Sequence, residues 1–332
     1  MNIAVYTNYK QLLNNGLFDL TNGSTTNSEA LERYQALRQY LQSKDVRIET
    51  YDVYLPGEKI DLWLFIDPPG DVYRFMIRHR ISPRRSILFL VEPPVGNPWF
   101  YSRSWFYFRL FGRILSWNSE LVASNRKFCK FLLPYRFDAG CYSQYLDTSK
   151  QKLCVMMHSN KTSSVSGELY TLRRKIISYF EERGDSLLDL YGAGWNDALS
   201  PSPFFTSLHK GWFLDKRACL ASYSYSLCID NMLIPGYLTY DPFISMSVGT
   251  VPVYLPMPDA DQYIPRDTYV DYNDFDTMDE LVKYLVSLRN TAEYEKMRER
   301  GWQFLNSPAY RPFTVEKFSE DVYSAILELA EN

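Results

Sequence analysis

The sequence contains no stretch of roughly 18 uninterrupted apolar residues, so no segment reads as a membrane-spanning helix. A basic start followed by an apolar run is also missing: the first residues, Met1-Asn-Ile-Ala-Val-Tyr6, read as a strand and not as a secretory signal. Cysteine is scarce and odd in number. The five (Cys129, Cys141, Cys154, Cys219, Cys228) show no paired metal spacing and point to free thiols in a reducing compartment. A cytoplasmic location is expected, and the Asn-X-Ser/Thr matches at Asn22 and Asn160 then carry no weight. Only three histidines occur (His79, His158, His209), too widely spaced for a ligand pattern; His158, just past an apolar run, is the one expected near a bound ligand. There is no basic excess. A formal charge of -3 argues against bulk nucleic-acid binding, since phosphate readers carry surplus cations. Neither a dinucleotide fingerprint nor a Walker loop is present, and Gly192-Ala-Gly194 is too short to count.

What is present belongs to a folded chain: 46% apolar and 23% charged residues, over a length that suggests two domains of about 150 residues each. Aromatics reach 16%, with 27 tyrosines, which serve large cores in the plain reading and sugar stacking in the sharper one. Short apolar runs (3–6, 62–66, 87–91, 153–157, 187–191, 226–229, 251–255) alternate with helical spacings at Leu31, Tyr34, Leu37 and Leu41, at Leu281, Tyr284, Leu285 and Leu288, and at Phe318, Val322, Ile326 and Leu329. That alternation implies mostly parallel sheets covered on both faces. The polar stretch Asp147-Thr-Ser-Lys150 marks the expected boundary between domains 1–150 and 151–332, and Asn160 to Gly167 reads as a mobile loop. Two such domains would face each other across a cleft at the carboxyl ends of their strands.

The most informative segment runs Tyr225-Ser-Leu-Cys-Ile-Asp-Asn231, then Gly236-Tyr-Leu-Thr239, then Gly249-Thr-Val-Pro-Val-Tyr-Leu255. A strand ends at an Asx-rich turn, and Thr239 is expected to cap a helix with Pro242 in its first turn. The helix ends at Gly249, before a buried strand with Pro252 near its start. Amides at such a helix start can hold a pyrophosphate. This order resembles the α-1,3-fucosyltransferase family (glycosyltransferase family 10), whose members use GDP-fucose and show a strand ending in Glu-Asn, a Gly-Tyr-(Val/Ile)-Thr-Glu-Lys helix start and a Gly-Thr-(Val/Ile)-Pro-(Val/Ile)-Tyr strand. Upstream, Pro83-Arg-Arg-Ser-Ile-Leu-Phe-Leu-Val-Glu-Pro-Pro94 is similar to the family's strand ending in Glu-Ser-Pro, and Phe111-Gly-Arg-Ile-Leu-Ser-Trp-Asn118 to the segment after it. Ser159-Asn160, Leu172-Arg-Arg174 and Asp189-Leu-Tyr-Gly192 keep the family order, so the likeness covers roughly residues 80 to 290.

The resemblance implies an α/β fold of the GT-B type, with two Rossmann-like domains, and an inverting, metal-independent transfer of fucose to a glycan acceptor. It makes Glu92 the catalytic base in an acceptor-side domain. The donor would lie in the C-terminal domain, near Arg173 or Arg174 (spacing favours Arg173), Asn231, Tyr237, Thr239, Tyr240 and Asp241, the last able to accept from a ribose, and the last helix would cross back to the first domain. A guanidinium suits a pyrophosphate because its forked donors match the oxygens. The chain departs from the family where Tyr240 and Asp241 replace Glu-Lys. Asp241 cannot supply the lysine's charge; Lys161, Lys216 and Arg217 are the candidates to bring it from another loop. Two alternatives stay open: the same machinery with another nucleotide sugar, and a non-catalytic relative that binds a glycan or nucleotide. The Asp259-Ala-Asp261 pattern, with Asp274 and Asp276, is not expected to hold a metal, and the nucleotide sugar is the one co-substrate implied.

One tract stays outside this scheme. Trp99 to Arg113 mixes large aromatics with Arg103, Arg109 and Arg113, and Arg74, Arg78, Arg80, Arg84 and Arg85 lie nearby. A buried helix with its arginines reaching outward is expected. Peripheral contact with an anionic membrane surface is the alternative.

Overall fold

The computed structural model of the chain describes residues 1–21, 28–213 and 215–331, so Asn22 lies outside the described residues. Two compact α/β units divide the chain. The first comprises Met1–Arg136, Pro235–Tyr237 and Arg311–Asn332, the second Phe137–Ile234 and Leu238–Tyr310.

In the first unit the apolar runs become β1 (Asn2–Thr7), β2 (Arg47–Thr50), β3 (Leu62–Ile66), β4 (Ser86–Leu90), β5 (Arg113–Ser116) and β6 (Phe128–Lys130). They pair in parallel in the order β2-β1-β3-β4-β5-β6. Every residue of β3 and β4 is buried, as a parallel sheet covered on both faces requires. The cover comes from α1 (Ser28–Gln42), α2 (Val72–Arg78), the one-turn helices α3 (Pro98–Tyr101) and α4 (Ser104–Tyr107), and α5 (Ser119–Ser124). Leu31, Tyr34, Leu37 and Leu41 form the buried stripe of α1. Phe65 meets Phe111 at 5.3 Å and Phe89 meets Phe131 at 4.6 Å between ring centroids. Each such fully buried ring contributes about 1.5–3 kcal/mol.

The second unit contains α6 (Ala139–Tyr142), β7 (Lys152–Met157), α7 (Tyr170–Arg183), β8 (Leu188–Tyr191), α8 (Lys216–Ala221), β9 (Tyr223–Cys228), α9 (Asp241–Ser247), β10 (Val251–Tyr254), β11 (Val270–Asp271), α10 (Met278–Leu288) and α11 (Ala292–Leu305). Its parallel sheet has the order β11-β10-β9-β7-β8. Helix ends follow local chemistry. Asp215 caps α8, Thr277 and Glu280 form a capping box on α10, and α7 stops at Gly184 in the left-handed conformation (φ 65°). Ile176, Ile177 and Phe180 of α7 and Leu281, Leu285 and Leu288 of α10 join the strands in one core. The last helix, α12 (Val315–Ala330), belongs to the first unit and packs on α1, with Tyr40 and Tyr323 edge to face at 5.9 Å.

Several details differ from the sequence-based expectation. The first unit ends at Arg136, ahead of the polar stretch at 147–150, because Phe137 already packs on Trp302 and Tyr310 of the second unit (5.1 and 6.3 Å). Asn160, expected in a mobile loop, is pinned: its Nδ2 donates to the carbonyls of Gly194 and Ser202 at 2.9 and 3.0 Å. The run Trp99 to Arg113 is not one buried helix. It breaks at Ser102–Arg103 into α3 and α4, so that Phe100, Tyr107 and Phe111 turn inward while Trp99, Trp105 and Phe106 stay 51%, 66% and 37% exposed. Apolar side chains on every face of so short a run cannot all reach one core.

Candidate active site

In the first unit, Glu92 follows β4 by two residues. Its backbone N–H donates to Asp67 Oδ1 and Oδ2 (3.1 and 3.2 Å), and the Val91 N–H donates to Asp67 Oδ1 at 2.9 Å. Asp67 is the residue that follows β3, with φ at 39°, so two neighbouring strand ends each carry a carboxylic acid just past the sheet. Burial, and then the charge of Glu92, push the Asp67 carboxyl up to about 7. The half-buried Glu92 side chain has room because residue 96 is glycine: a Cβ there would stand 2.5 Å from Glu92 Oε2. The Tyr101 hydroxyl donates to the Glu92 carbonyl at 2.9 Å, which fixes the turn.

Asp67 was missed in the sequence although the chain marks it. Asp67-Pro68-Pro69 after β3 repeats the acid-Pro-Pro pattern of Glu92-Pro93-Pro94 after β4.

Tyr237, expected to line the donor site of the C-terminal domain, belongs to the first unit. Its ring packs on Trp117 at 4.6 Å and it is 4% exposed. Gly236 permits this approach, with φ at 84° and the Trp117 carbonyl 2.2 Å from where a Cβ would sit. Tyr237 is therefore a core residue of that unit.

The remaining candidates gather at the carboxyl ends of β7 and β9 in the second unit. Arg173, on α7, is 4% exposed; its Nε donates to the Ile229 carbonyl at 2.9 Å, and its Nη2 donates to the same carbonyl and to Asn231 Oδ1 (3.1 Å). It thereby holds the turn after β9. Arg174 points elsewhere: Asn160 Oδ1, Ser202 Oγ and the Ser202 carbonyl accept from it at 2.6–3.1 Å, and Phe204 lies beneath it at 5.5 Å. Between the two arginines, only Arg173 meets the β9 turn.

The expected cap is different. Tyr240, not Thr239, precedes the first residue of α9, and it makes no side-chain cap. Thr239 Oγ1 donates to Asp230 Oδ1 at 2.6 Å, a buried acceptor on the facing turn, and accepts from the Asp241 N–H that opens α9 at a long 3.5 Å. Burial raises the Asp230 carboxyl to about 7.

The departure from the family pattern has a structural counterpart. Lys216, at the start of α8, places Nζ 2.7 Å from Asp241 Oδ1 and 4.8 Å from the centre of the Tyr240 ring. His158, directly after β7, has Nδ1 3.9 Å from Asp241 Oδ2. Burial alone would raise the Asp241 carboxyl, but the Lys216 ammonium beside it overrides this and holds the group below its ordinary value. Burial, followed by the Arg173 charge, lowers His158 to about 3, so the imidazole is neutral near pH 7. The strand ends thus combine one ammonium, one buried guanidinium, a neutral imidazole and an ionised carboxylate, a set suited to a ligand that carries both phosphate and hydroxyl groups. Among the described residues, no group of three or more His, Cys, Asp or Glu side chains is placed to hold a metal ion. Asp259 and Asp261 lie in a short turn after β10, and Asp274 pairs with Arg266.

Comparison with known proteins follows the same lines. Residues 147–307 match the sequence model of glycosyltransferase family 10 (fucosyltransferase), C-terminal part. An alpha-(1,4)-fucosyltransferase of Arabidopsis thaliana is 24% identical over 170 residues, which is 44% of this chain and 42% of the relative's length. A crystal structure of an alpha1,3-fucosyltransferase superposes with a TM-score of 0.62 at 16% identity, covering 100% of this chain and 90% of that one. Anabaena Alr3699/HepE in complex with UDP and glucose gives a TM-score of 0.59 at 10% identity, covering 99% and 100%. Likeness at these identities establishes the fold, which is GT-B.

Proposed function

We propose, from the premise that residues 147–307 form a glycosyltransferase family 10 domain, that the protein moves fucose from GDP-fucose to a hydroxyl of a glycan acceptor, with inversion and without a metal. The observation that carries this reading is the Lys216 ammonium at the start of α9. It brings a cation to the chain position where the resembled family has lysine and this chain has Asp241. An alpha1,3-fucosyltransferase solved with GDP-fucose shares the fold at a TM-score of 0.59 and 14% identity.

In this reading Glu92 accepts the proton of the acceptor hydroxyl as its oxygen attacks the anomeric carbon. The new glycosidic bond forms as the bond from that carbon to the diphosphate oxygen breaks, and GDP departs with the electron pair. Lys216 and the amides that open α9 stabilise the charge gathering on the diphosphate. Arg173 fixes the turn that carries Asp230 and Asn231, and Asn231 and Thr239 face the donor. Arg174 keeps the Asn160 loop in place.

The test is a thermal-shift panel of GDP, UDP, CDP and dTDP with their sugars, with and without a chelator, since a ligand bound by the native state raises the melting temperature. Selective stabilisation by GDP and GDP-fucose that survives the chelator is the expected result. A response to another nucleotide would replace the donor, the reading that Asp241 itself favours. No response to any would leave a binding protein without turnover.

A further inference from the structure

From Asp71 to Trp117 the chain carries eight arginines (74, 78, 80, 84, 85, 103, 109, 113) against two carboxylates, Asp71 and Glu92, in a protein of formal charge -3. Arg113 pairs with Glu328, but the other seven make no ion pair among the described residues. This surplus lies beside exposed apolar side chains. On α2, Arg74, Ile77 and Arg78 face outward, and Ile77 is 73% exposed. One turn earlier, Tyr73 meets Phe106 edge to face at 6.4 Å, and Phe106 meets Trp105 at 6.0 Å, so an apolar strip continues from α2 onto α4. Arginines rest on its rings: Arg74 at 5.7 Å from the centre of Tyr73, Arg103 at 4.5 Å from Trp99 and Arg109 at 5.6 Å from Trp105. A guanidinium on a ring retains N–H donors for a further partner; Arg74 commits one of them, its Nε donating to the Tyr73 hydroxyl at 3.1 Å.

We propose that this face of the first unit docks the protein peripherally on an anionic phospholipid bilayer. Trp99, Trp105 and Tyr73 are of the kind that settles at headgroup depth, Ile77 and Phe106 enter the acyl boundary, and the arginines meet lipid phosphates. The contact proposed is peripheral; among the described residues no helix is long and apolar enough to cross a membrane. Charge selects the occupant. A second copy meeting this patch through the same patch would set arginine against arginine. A soluble polyanion would satisfy the arginines and leave Ile77 and Phe106 in water. A bilayer with anionic headgroups satisfies both. The proposal does not depend on the donor or acceptor assigned above.

Sedimentation of the full chain with vesicles tests it, using phosphatidylcholine alone and phosphatidylcholine with about a third phosphatidylglycerol. Binding to the anionic vesicles only, lost at high salt and accompanied by a blue shift of tryptophan emission, is expected. Arg74→Ala with Arg78→Ala should lower the partition coefficient by about thirtyfold. Trp105→Ser with Phe106→Ser should shrink the emission shift to what Trp99 contributes and lower binding to the anionic vesicles. All four side chains point outward, and an unchanged melting temperature verifies the fold of each variant. Equal binding to both vesicle types, binding to neither, or a double-arginine variant that binds as well as the parent would overturn the proposal. So would retention on heparin or DNA without vesicle binding, which would make the partner a soluble polyanion.

Discussion

Lys216 Nζ stands 2.7 Å from Asp241 Oδ1, and the two residues come from different helices of one unit, α8 and α9. Their side chains are 11% and 20% exposed, and His158, Ser226 and Ser245 line the small space around the pair. An aspartate suits the first residue of α9, and its carboxylate in turn keeps the Lys216 cation at the helix start.

Replacing Lys216 separates the two roles of this pair. Lys216→Ala leaves a partly buried carboxylate without its cation and should lower stability by about 1–3 kcal/mol. GDP affinity should fall by about tenfold or more. Asp241→Asn should act in the opposite direction on the nucleotide, because it frees the ammonium for phosphate, and GDP should bind several-fold more tightly. Titration calorimetry on both variants decides the matter. If Asp241→Asn weakens GDP as Lys216→Ala does, then Asp241 itself contacts the nucleotide.

Glu92 carries the second prediction. Glu92→Gln keeps the shape and the backbone contacts to Asp67 but cannot accept a proton, so kcat should fall about 10²–10⁴-fold while donor affinity stays within about twofold. Gly96→Ala should reproduce part of that loss without touching the carboxylate chemically, since the new methyl would stand 2.5 Å from Oε2 and displace it. Initial rates with saturating donor check both. A normal kcat in Glu92→Gln would remove Glu92 from the reaction.

Gly236 supports the Tyr237–Trp117 contact and yields a stability prediction. At φ 84°, with the Trp117 carbonyl at 2.2 Å and Lys130 Nζ at 2.6 Å from an added Cβ, Gly236→Ala meets both backbone strain and collision. A loss of about 2 kcal/mol or more is expected in denaturant unfolding. A loss under about 0.5 kcal/mol would show that the segment 235–237 moves aside at little cost.

The architecture was legible where burial is continuous. Leu62–Ile66 and Ile87–Leu90 carry no polar residue, as a strand covered on both faces requires, and the structure has them as the central β3 and β4. Short strands such as Phe128–Lys130 and Val270–Asp271 are two or three residues long and leave no period to read. Glu92 was singled out because the family resemblance marks it, with a carboxylate directly after an apolar run as a second, weaker signal. Asp67 shares that signal and was passed over, because its role depends on a neighbour 25 residues away that only the pairing of β3 with β4 brings close. The choice among Lys161, Lys216 and Arg217 likewise depended on where α8 starts relative to α9, which spacing along the chain does not encode.

Asp67 gives a pH-dependent prediction whose sign follows from its environment. Burial, and next the Glu92 charge, raise its carboxyl from 3.8 to about 7 in the folded protein, so between these values the folded state binds the proton that the unfolded chain has released. Stability from this group is therefore greatest at about pH 4 and declines as pH rises through 7, with a cost of up to about 4 kcal/mol once the group is ionised. Asp67→Asn removes the ionisation, and its side-chain oxygen can still accept from the Val91 and Glu92 amides that now meet Oδ1 at 2.9 and 3.1 Å. The melting-temperature difference between Asp67→Asn and the parent should accordingly grow in the variant's favour from pH 5 to pH 8. In a Glu92→Gln background one of the raising charges is gone, so the same pH-dependent difference should shrink. A difference that stays constant across this range in both backgrounds would mean that Asp67 is already ionised at pH 5 and that its amide contacts outweigh its burial.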